Sequence, residues 1–315
     1  MTPNRLLFGL FLLVLIAVPV ATAATGNMFI LSLCTRIAIM AIAAVGLQLV
    51  VGYGNMISLG HALFVGLGAY TLAICTHFVG DFAALGNGLL QLPLVIVATA
   101  IVAWATGYVS LRMQGIYFLM ITLAFSQMFH LLAVSVPTFG GDDGMTLYSR
   151  PWLPLIDLDS PYQRYALCAV ALVLAVLGMA RLVQSRFGLA LRASAYNEPR
   201  LQSSGYDVHK VRLVAYVIAG VIAGLAGYLL ALHTEFVSPS TMHWTRSGDL
   251  VIMIVLGGRL IPGGPVLGAS FLVLVEEVAS RYTESWPIVL GILLVLFGRY
   301  ATQGLIGLGK SSKAG

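Results

Sequence analysis

Long apolar runs alternate with short polar stretches along the whole chain. Within each run the apolar positions are continuous rather than every second residue, which predicts helices and argues against β-barrel spans. About 20 apolar residues cross a bilayer as helix. On that rule the candidate spans are approximately 6–24, 29–51, 58–79, 89–111, 115–136, 164–183, 213–233, 249–258, 264–282 and 286–300. The expected fold is an all-α polytopic membrane protein of about ten transmembrane spans, some broken or half-length. It forms a single transmembrane domain over residues 1–315. Segment 249–258 is too short to cross alone and continues into Gly257-Gly258, so it is expected as a half-helix or part of a broken element. Irregular backbone at that depth requires protein or a cavity around it.

Two segments on the same side interrupt the pattern. Residues 137–163 are rich in Pro, Gly and Asp and long enough to receive an external partner. Residues 234–248, with Pro239, Trp244 and Arg246, are expected to hold a short interfacial helix.

Composition agrees with solvation by lipid. Hydrophobic residues make up 59% of the chain and charged residues 9%, with a mean hydropathy of +0.94. A soluble domain carries about 25% charged residues. The net charge of +5 does not imply nucleic acid, because the basic residues sit singly at the ends of apolar runs, where they set topology. With the amino terminus inside and each span reversing direction, 12 basic residues fall inside and 4 (Arg150, Arg164, Arg246, Arg281) outside. Both termini are then cytoplasmic. Arg5, Leu6–Val20 and Ala21-Thr22-Ala23 also fit a cleaved secretory signal, but the length of the apolar run favours a retained first span.

Six of the 17 basic residues lie between Arg181 and Arg212, the one sizeable polar loop on the inner side. Two short helices are expected there. Ser185 caps the first, which runs to about Ser194. Asn197 caps the second, with Pro199 in its first turn and Gly205 just past its end. A loop that only set orientation would not need paired caps and a glycine stop, so a docking element for a soluble partner is expected.

The segment Gly52-Tyr-Gly-Asn-Met-Ile-Ser58-Leu-Gly60-His61 is too rich in glycine for an ordinary helix. It reads either as close helix packing or as an interruption that turns Ser58 and freed backbone groups toward a polar solute. Gly220-x-x-x-Gly224 and Gly264-x-x-x-Gly268 read as packing faces. His61, His130, Arg36, Glu276 and Glu277 are ionisable groups within spans. Each costs roughly 2.5–3.5 kcal/mol at a helix centre if charged and unpaired. Arg36 is near enough to a span end to be expected to snorkel.

Three further patterns carry little chemistry. Gly304 to Ser311 has Walker A spacing, but an apolar span rather than a strand precedes it, so a flexible basic tail is expected. Cys34, Cys75 and Cys168 are dispersed within apolar runs, which argues against a disulfide framework or a metal site. No His-Glu-x-x-His, cysteine pair or nucleophile elbow occurs, so no enzyme activity is expected of the chain itself.

Five ordered stretches resemble the inner-membrane permeases of branched-chain amino acid ABC importers of the LivH/LivM type, LivM more closely. They are GYGNMISLGHALFVGLGAYT (52–71), QGIYFLMITLAFSQ (114–127), TFGGDDGM (138–145), the run from Ser185 to Gly227, and LGGRLIPGGPVLGA (256–269). The resemblance implies an importer subunit in the bacterial inner membrane, paired with a second related permease, two cytoplasmic ATPases that bind the ATP, and an extracytoplasmic solute-binding protein. No cofactor of its own is implied. Within the loop, Arg192, Asn197, Glu198 and Gly205 match the coupling segment that seats in the ATPase. Gly54, Ser58, Gly60, His61 and Tyr117 are the expected pathway residues. The chain departs from the family pattern at Pro199, Phe139 and Leu260-Ile261-Pro262, which bears on substrate preference more than on fold. Urea and short-amide permeases share the pattern and are the alternative. A proton-coupled secondary transporter using His61 or Glu276 is the rival of another class.

Overall fold

The computed structural model describes residues 19, 22, 26–77, 86–147, 150–152, 157–283 and 285–300. The expected first span and the Walker-like tail lie outside these residues, apart from positions 19 and 22 of that span. The rest is helical, as the continuous apolar runs predict. In chain order the helices are α1 (Met28–Gln48), α2 (His61–His77), α3 (Gly88–Ser110), α4 (Ile116–Ser135), α5 (Pro161–Gln184), α6 (Arg186–Tyr196), α7 (Glu198–Ser203), α8 (Val208–Thr234), α9 (Trp244–Gly257), α10 (Gly264–Ser280) and α11 (Trp286–Tyr300). Five are long and apolar enough to cross a membrane: α1 with its continuation to Tyr53, α3, α4, α5 and α8.

Helix α8 is the hub, packing against α1, α2 and α3. Small residues let the backbones meet. A Cβ on Gly68 would strike the carbonyl of Gly224, and one on Gly227 that of Val65. On the facing side a Cβ on Gly224 would run into Thr99 and one on Gly220 into Ala103. Without a hydrophobic drive between helices in lipid, such close approach supplies the association. The expected packing role of Gly220 and Gly224 holds. So does that of Gly264 and Gly268, which meet the backbone of α9 at Gly257 and Met253.

Helix α1 does not stop cleanly at Gln48. Asn27 begins the helix by accepting from the Phe29 N–H, but at its far end the backbone widens into a π turn, Leu49–Tyr53, and then leaves helix altogether from Gly54 to Gly60. Two side chains from this end serve another irregular stretch. Gln48 donates to the carbonyls of Arg259 (3.1 Å) and Ile261 (2.9 Å), and the Tyr53 hydroxyl to that of Leu260 (3.0 Å). The turn between α9 and α10 thus has its carbonyls satisfied by protein, as non-helical backbone at depth requires.

A second break follows α8. Strand β2 (Phe236–Val237) pairs antiparallel with β1 (Met145–Thr146), tying the two outer segments together. The chain then turns inward through a 3₁₀ turn, Pro239–Met242. A short helix was expected within 234–248, and this 3₁₀ turn falls there. The Ser126 hydroxyl donates to the Met242 carbonyl (2.7 Å) and His130 Nδ1 to that of Pro239 (3.0 Å). The Met242 side chain fills the space over Gly66, midway along α2. Two backbone carbonyls of this turn are therefore matched to side chains of α4. From there α9 runs 14 residues, about 21 Å by helix rise, against a hydrocarbon core of about 30 Å. The expected half-helix is real, but it begins at Trp244, five residues before the apolar run.

Arg246, expected among the outer residues, stands in the first turn of α9. Arg36 does not snorkel: its Nη2 meets Glu276 Oε1 of α10 at 2.8 Å. A paired charge avoids much of the penalty of an isolated one.

Candidate functional site

The inward turn and α9 wall one side of a cavity of about 290 Å³. The other walls come from α1, α2, α8 and α10. Four charged side chains line it: Arg36, Arg246, Asp249 and Glu276. They form two ion pairs, Arg36 with Glu276 at 2.8 Å and Arg246 with Asp249 at 3.7 Å. Met40, Val65, Leu230, Leu250, Met253 and Leu272 supply an apolar wall, and Ser238, Ser240 and Thr241 a rim of hydroxyls and backbone. A small concave site with an apolar lining and a few convergent polar groups is the usual form of a ligand pocket.

A second cavity, of about 380 Å³, lies between the unwound segment and the basic loop; by the sidedness expected from the basic residues it is called the inner cavity and the first the outer one. Gly54, Met56, Ile57, Gln114, Phe118 and Arg212 are among its walls.

Of the residues expected to face a pathway, Gly54 lines this inner cavity. Ser58 and His61 are fully buried and line neither cavity. His61 Nδ1 lies 3.3 Å from the Ser58 hydroxyl, and its ring meets Phe64 and Tyr216 edge-on at 5.4 and 5.5 Å. Gly60 is pressed on the Thr122 backbone, whose hydroxyl accepts from the Leu59 N–H (3.3 Å). Tyr117 is 70% exposed on the outer face of α4 and lines neither cavity. The segment is interrupted, one of the two readings left open by the sequence, and also closely packed at Gly60. Its polar groups are used to hold the break: Ser247 of α9 accepts from the Ala62 N–H at 2.8 Å and so caps α2 from a distant part of the chain.

The inner loop folds as two short helices with the expected caps. Ser185 accepts from the Gly188 N–H, Asn197 from that of Arg200 (3.1 Å). Gly205 has φ +84° and closes α7, its N–H bonded to Gln202 O and that of Tyr206 to Leu201 O. Asp207 then caps α8, and the Lys210 N–H that it accepts holds its carboxyl below the ordinary value. Arg192 and Glu198, two of the residues expected to couple, are engaged within the chain. Arg192 donates to the carbonyls of Gly188 and Val183. Glu198 meets Arg212 Nη1 at 2.9 Å and accepts from Gln114 Nε2 at 3.1 Å, and Arg212 Nη2 reaches Ser194 O at 2.9 Å. Exposed on the loop are Tyr196 (86%), Pro199, Arg200 and Tyr206, together with the expected Asn197 and Gly205.

No residue around Gly205 would crowd a side chain, so a substitution there tests backbone conformation alone. Gly205→Val should cost roughly 1–2 kcal/mol of local stability, and Gly205→Asn clearly less, because Asn tolerates the left-handed region. Limited proteolysis between α7 and α8 reads the difference; equal cleavage of the two variants contradicts it.

Comparison with known proteins decides the class of this site. The family described as branched-chain amino acid transport system, permease component, matches residues 29–298. The chain belongs to that family. Within it, the chain is 29% identical to the high-affinity branched-chain amino acid transport system permease protein LivM of Salmonella typhimurium, over 94% of this chain and 74% of that protein. The LivM protein of Escherichia coli gives the same identity and coverage. A protein described as a probable branched-chain amino acid transport permease, LivM of Methanocaldococcus jannaschii, is 26% identical over 80% of this chain and 81% of its own length. No solved structure matches. As a member of a permease family with several membrane-length helices, the chain is a multi-pass membrane transport subunit rather than an enzyme.

Sequence reasoning missed the outer cavity. Its signal was Thr245-Arg246-Ser247-Gly248-Asp249, an Arg and an Asp three residues apart at the head of an apolar run. That spacing puts both on one helix face.

Proposed function

We propose that the chain is one permease subunit of an ATP-driven importer that moves Leu, Ile or Val inward across the bacterial inner membrane. The observation that carries this is the family match over residues 29–298, joined to the similarity to LivM across most of the chain. In this reading a second related permease completes the membrane unit. Two cytoplasmic ATPases bind and hydrolyse the ATP, and a solute-binding protein delivers from outside. The chain works as a single domain without a cofactor of its own.

Residues 185–212 form the platform that the ATPases grip. Tyr196, Pro199 and Arg200 make the contact surface, while Arg192, Asn197, Glu198 and Gly205 hold its shape. Along the pathway Gly54 faces the inner cavity. Ser58, Gly60 and His61 shape the wall from behind, and Tyr117 faces away from this chain's cavities.

The orientation that fits has ten crossings with both termini inside, the eighth made jointly by the inward turn and α9. Single cysteines at Ser203 and at Asp142, in a background lacking Cys34, Cys75 and Cys168, should then react from opposite sides with an impermeant maleimide. Reaction of both from one side rules out this arrangement.

Uptake decides the function. Proteoliposomes holding the full complex should accumulate labelled Leu, Ile or Val only with ATP and binding protein present. Accumulation of urea or a short amide in their place would establish the alternative substrate class. Uptake driven by a proton gradient without ATP would establish a secondary transporter.

A further inference from the structure

The outer cavity holds four charges in an apolar surround, and packing gives no reason for them. Buried ion pairs add little to stability and are often replaced by apolar residues without loss. Ionisable groups at membrane depth mark a functional site by default. Arg36 stands eight positions into α1, about 12 Å along the helix, and Asp249 lies within electrostatic reach of Arg246, Glu276 and Arg36 together. The two pairs are therefore one cluster with no net charge.

The pairs are not closed off. The side chains keep between 17% and 47% of their surface exposed, and their hydrogen bonding is far from saturated. Among the described residues Arg36 uses a single donor, toward Glu276, of the five a guanidinium carries. The Arg246–Asp249 pair, at 3.7 Å, is beyond hydrogen-bond length. A cluster of this kind offers a carboxylate-binding and an ammonium-binding group side by side, with aliphatic side chains of Val65, Leu250 and Leu272 next to them. The first turn of α9, which carries Arg246, adds the positive end of a helix.

We propose that this cavity is a binding site for a zwitterionic α-amino acid with an aliphatic side chain. Arg246 and Arg36 receive its carboxylate, Asp249 and Glu276 its ammonium group, and the apolar wall its side chain. At about 290 Å³ the space suits one amino acid rather than a peptide. The inference rests on the reading of the chain as an amino-acid permease and adds the place and the charge logic of recognition. An uncharged amide or urea would leave both pairs undisturbed and gain nothing from them.

The test uses the assembled complex without binding protein, so that the permease alone selects. Labelled leucine is the probe, with valine, urea and acetamide as competitors, and uptake through the complete system is measured in parallel. Asp249→Asn keeps the shape and removes one ammonium partner; leucine binding should weaken tenfold or more. The double variant Arg36→Glu/Glu276→Arg keeps an ion pair but exchanges its ends. A purely structural pair tolerates that exchange, whereas a recognition pair does not. Complexes that assemble with normal stoichiometry but lose tenfold or more in leucine binding and uptake support the site. Wild-type binding and uptake in the exchanged variant, or in Asp249→Asn, overturns it. Competition by urea equal to that by valine would overturn it as well. A wild-type complex that takes up no amino acid would instead count against the proposed function, and that measurement comes before any variant.

Discussion

Valine in place of Gly68 or Gly227 is expected to prevent stable folding of the helical core. The ideal Cβ at either position falls on a carbonyl of the facing helix, Gly224 for one and Val65 for the other. Backbone cannot rotate aside as a side chain can, so α2 and α8 must separate along their whole contact. Overpacking a core side chain costs about 1–3 kcal/mol; a backbone clash in the central helix pair should reach the top of that range or pass it. Gly178 provides the contrast. It lies within α5 with nothing near its Cβ position, so Gly178→Ala should be neutral or stabilise by up to about 1 kcal/mol through helix propensity. Thermal unfolding of the purified protein in detergent separates the two. A Gly68→Val protein as stable as Gly178→Ala would mean that α2 and α8 are not in close contact.

How much of this was legible in the sequence depended on the range of the interaction. Caps are local: Ser185, Asn197 and Gly205 act on backbone within a few residues, and the inner platform could be drawn from the chain alone. Continuous apolar runs are local too, and nine of the ten expected spans correspond to helices here. The pairing of Arg36 with Glu276 joins residues 240 positions apart, and the capping of α2 by Ser247 joins residues 185 apart. No periodicity carries such information. The contacts of the turn after α8 escape it for the same reason, since the Met242 and Pro239 carbonyls are met by Ser126 and His130 of α4, 116 and 109 positions away.

The same distinction alters what a charge change in the platform should do. Glu198 reads in the sequence as a group free to contact an ATPase, but it is bound to Arg212 and Gln114. Through them α7 is joined to the first turns of α8 and to the α3–α4 connection, and both Arg212 and Gln114 line the inner cavity. In the proposed importer, movement of the platform is carried to the inner mouth by the Glu198–Arg212 contact, which is largely shielded, the two side chains being 26% and 14% exposed. Glu198→Arg sets two guanidinium groups against each other and leaves Gln114 without its acceptor. Breaking a shielded pair in this way is far more harmful than never having one. We expect leucine uptake by the reconstituted complex to fall at least tenfold while ATP hydrolysis continues, so that the ATP consumed per solute rises. Pairing it with Arg212→Glu restores the attraction and should recover much of the coupling, which a direct contact between Glu198 and the ATPase would not allow. Uptake at the normal rate and normal ATP cost in Glu198→Arg alone would mean that the basic loop only sets orientation.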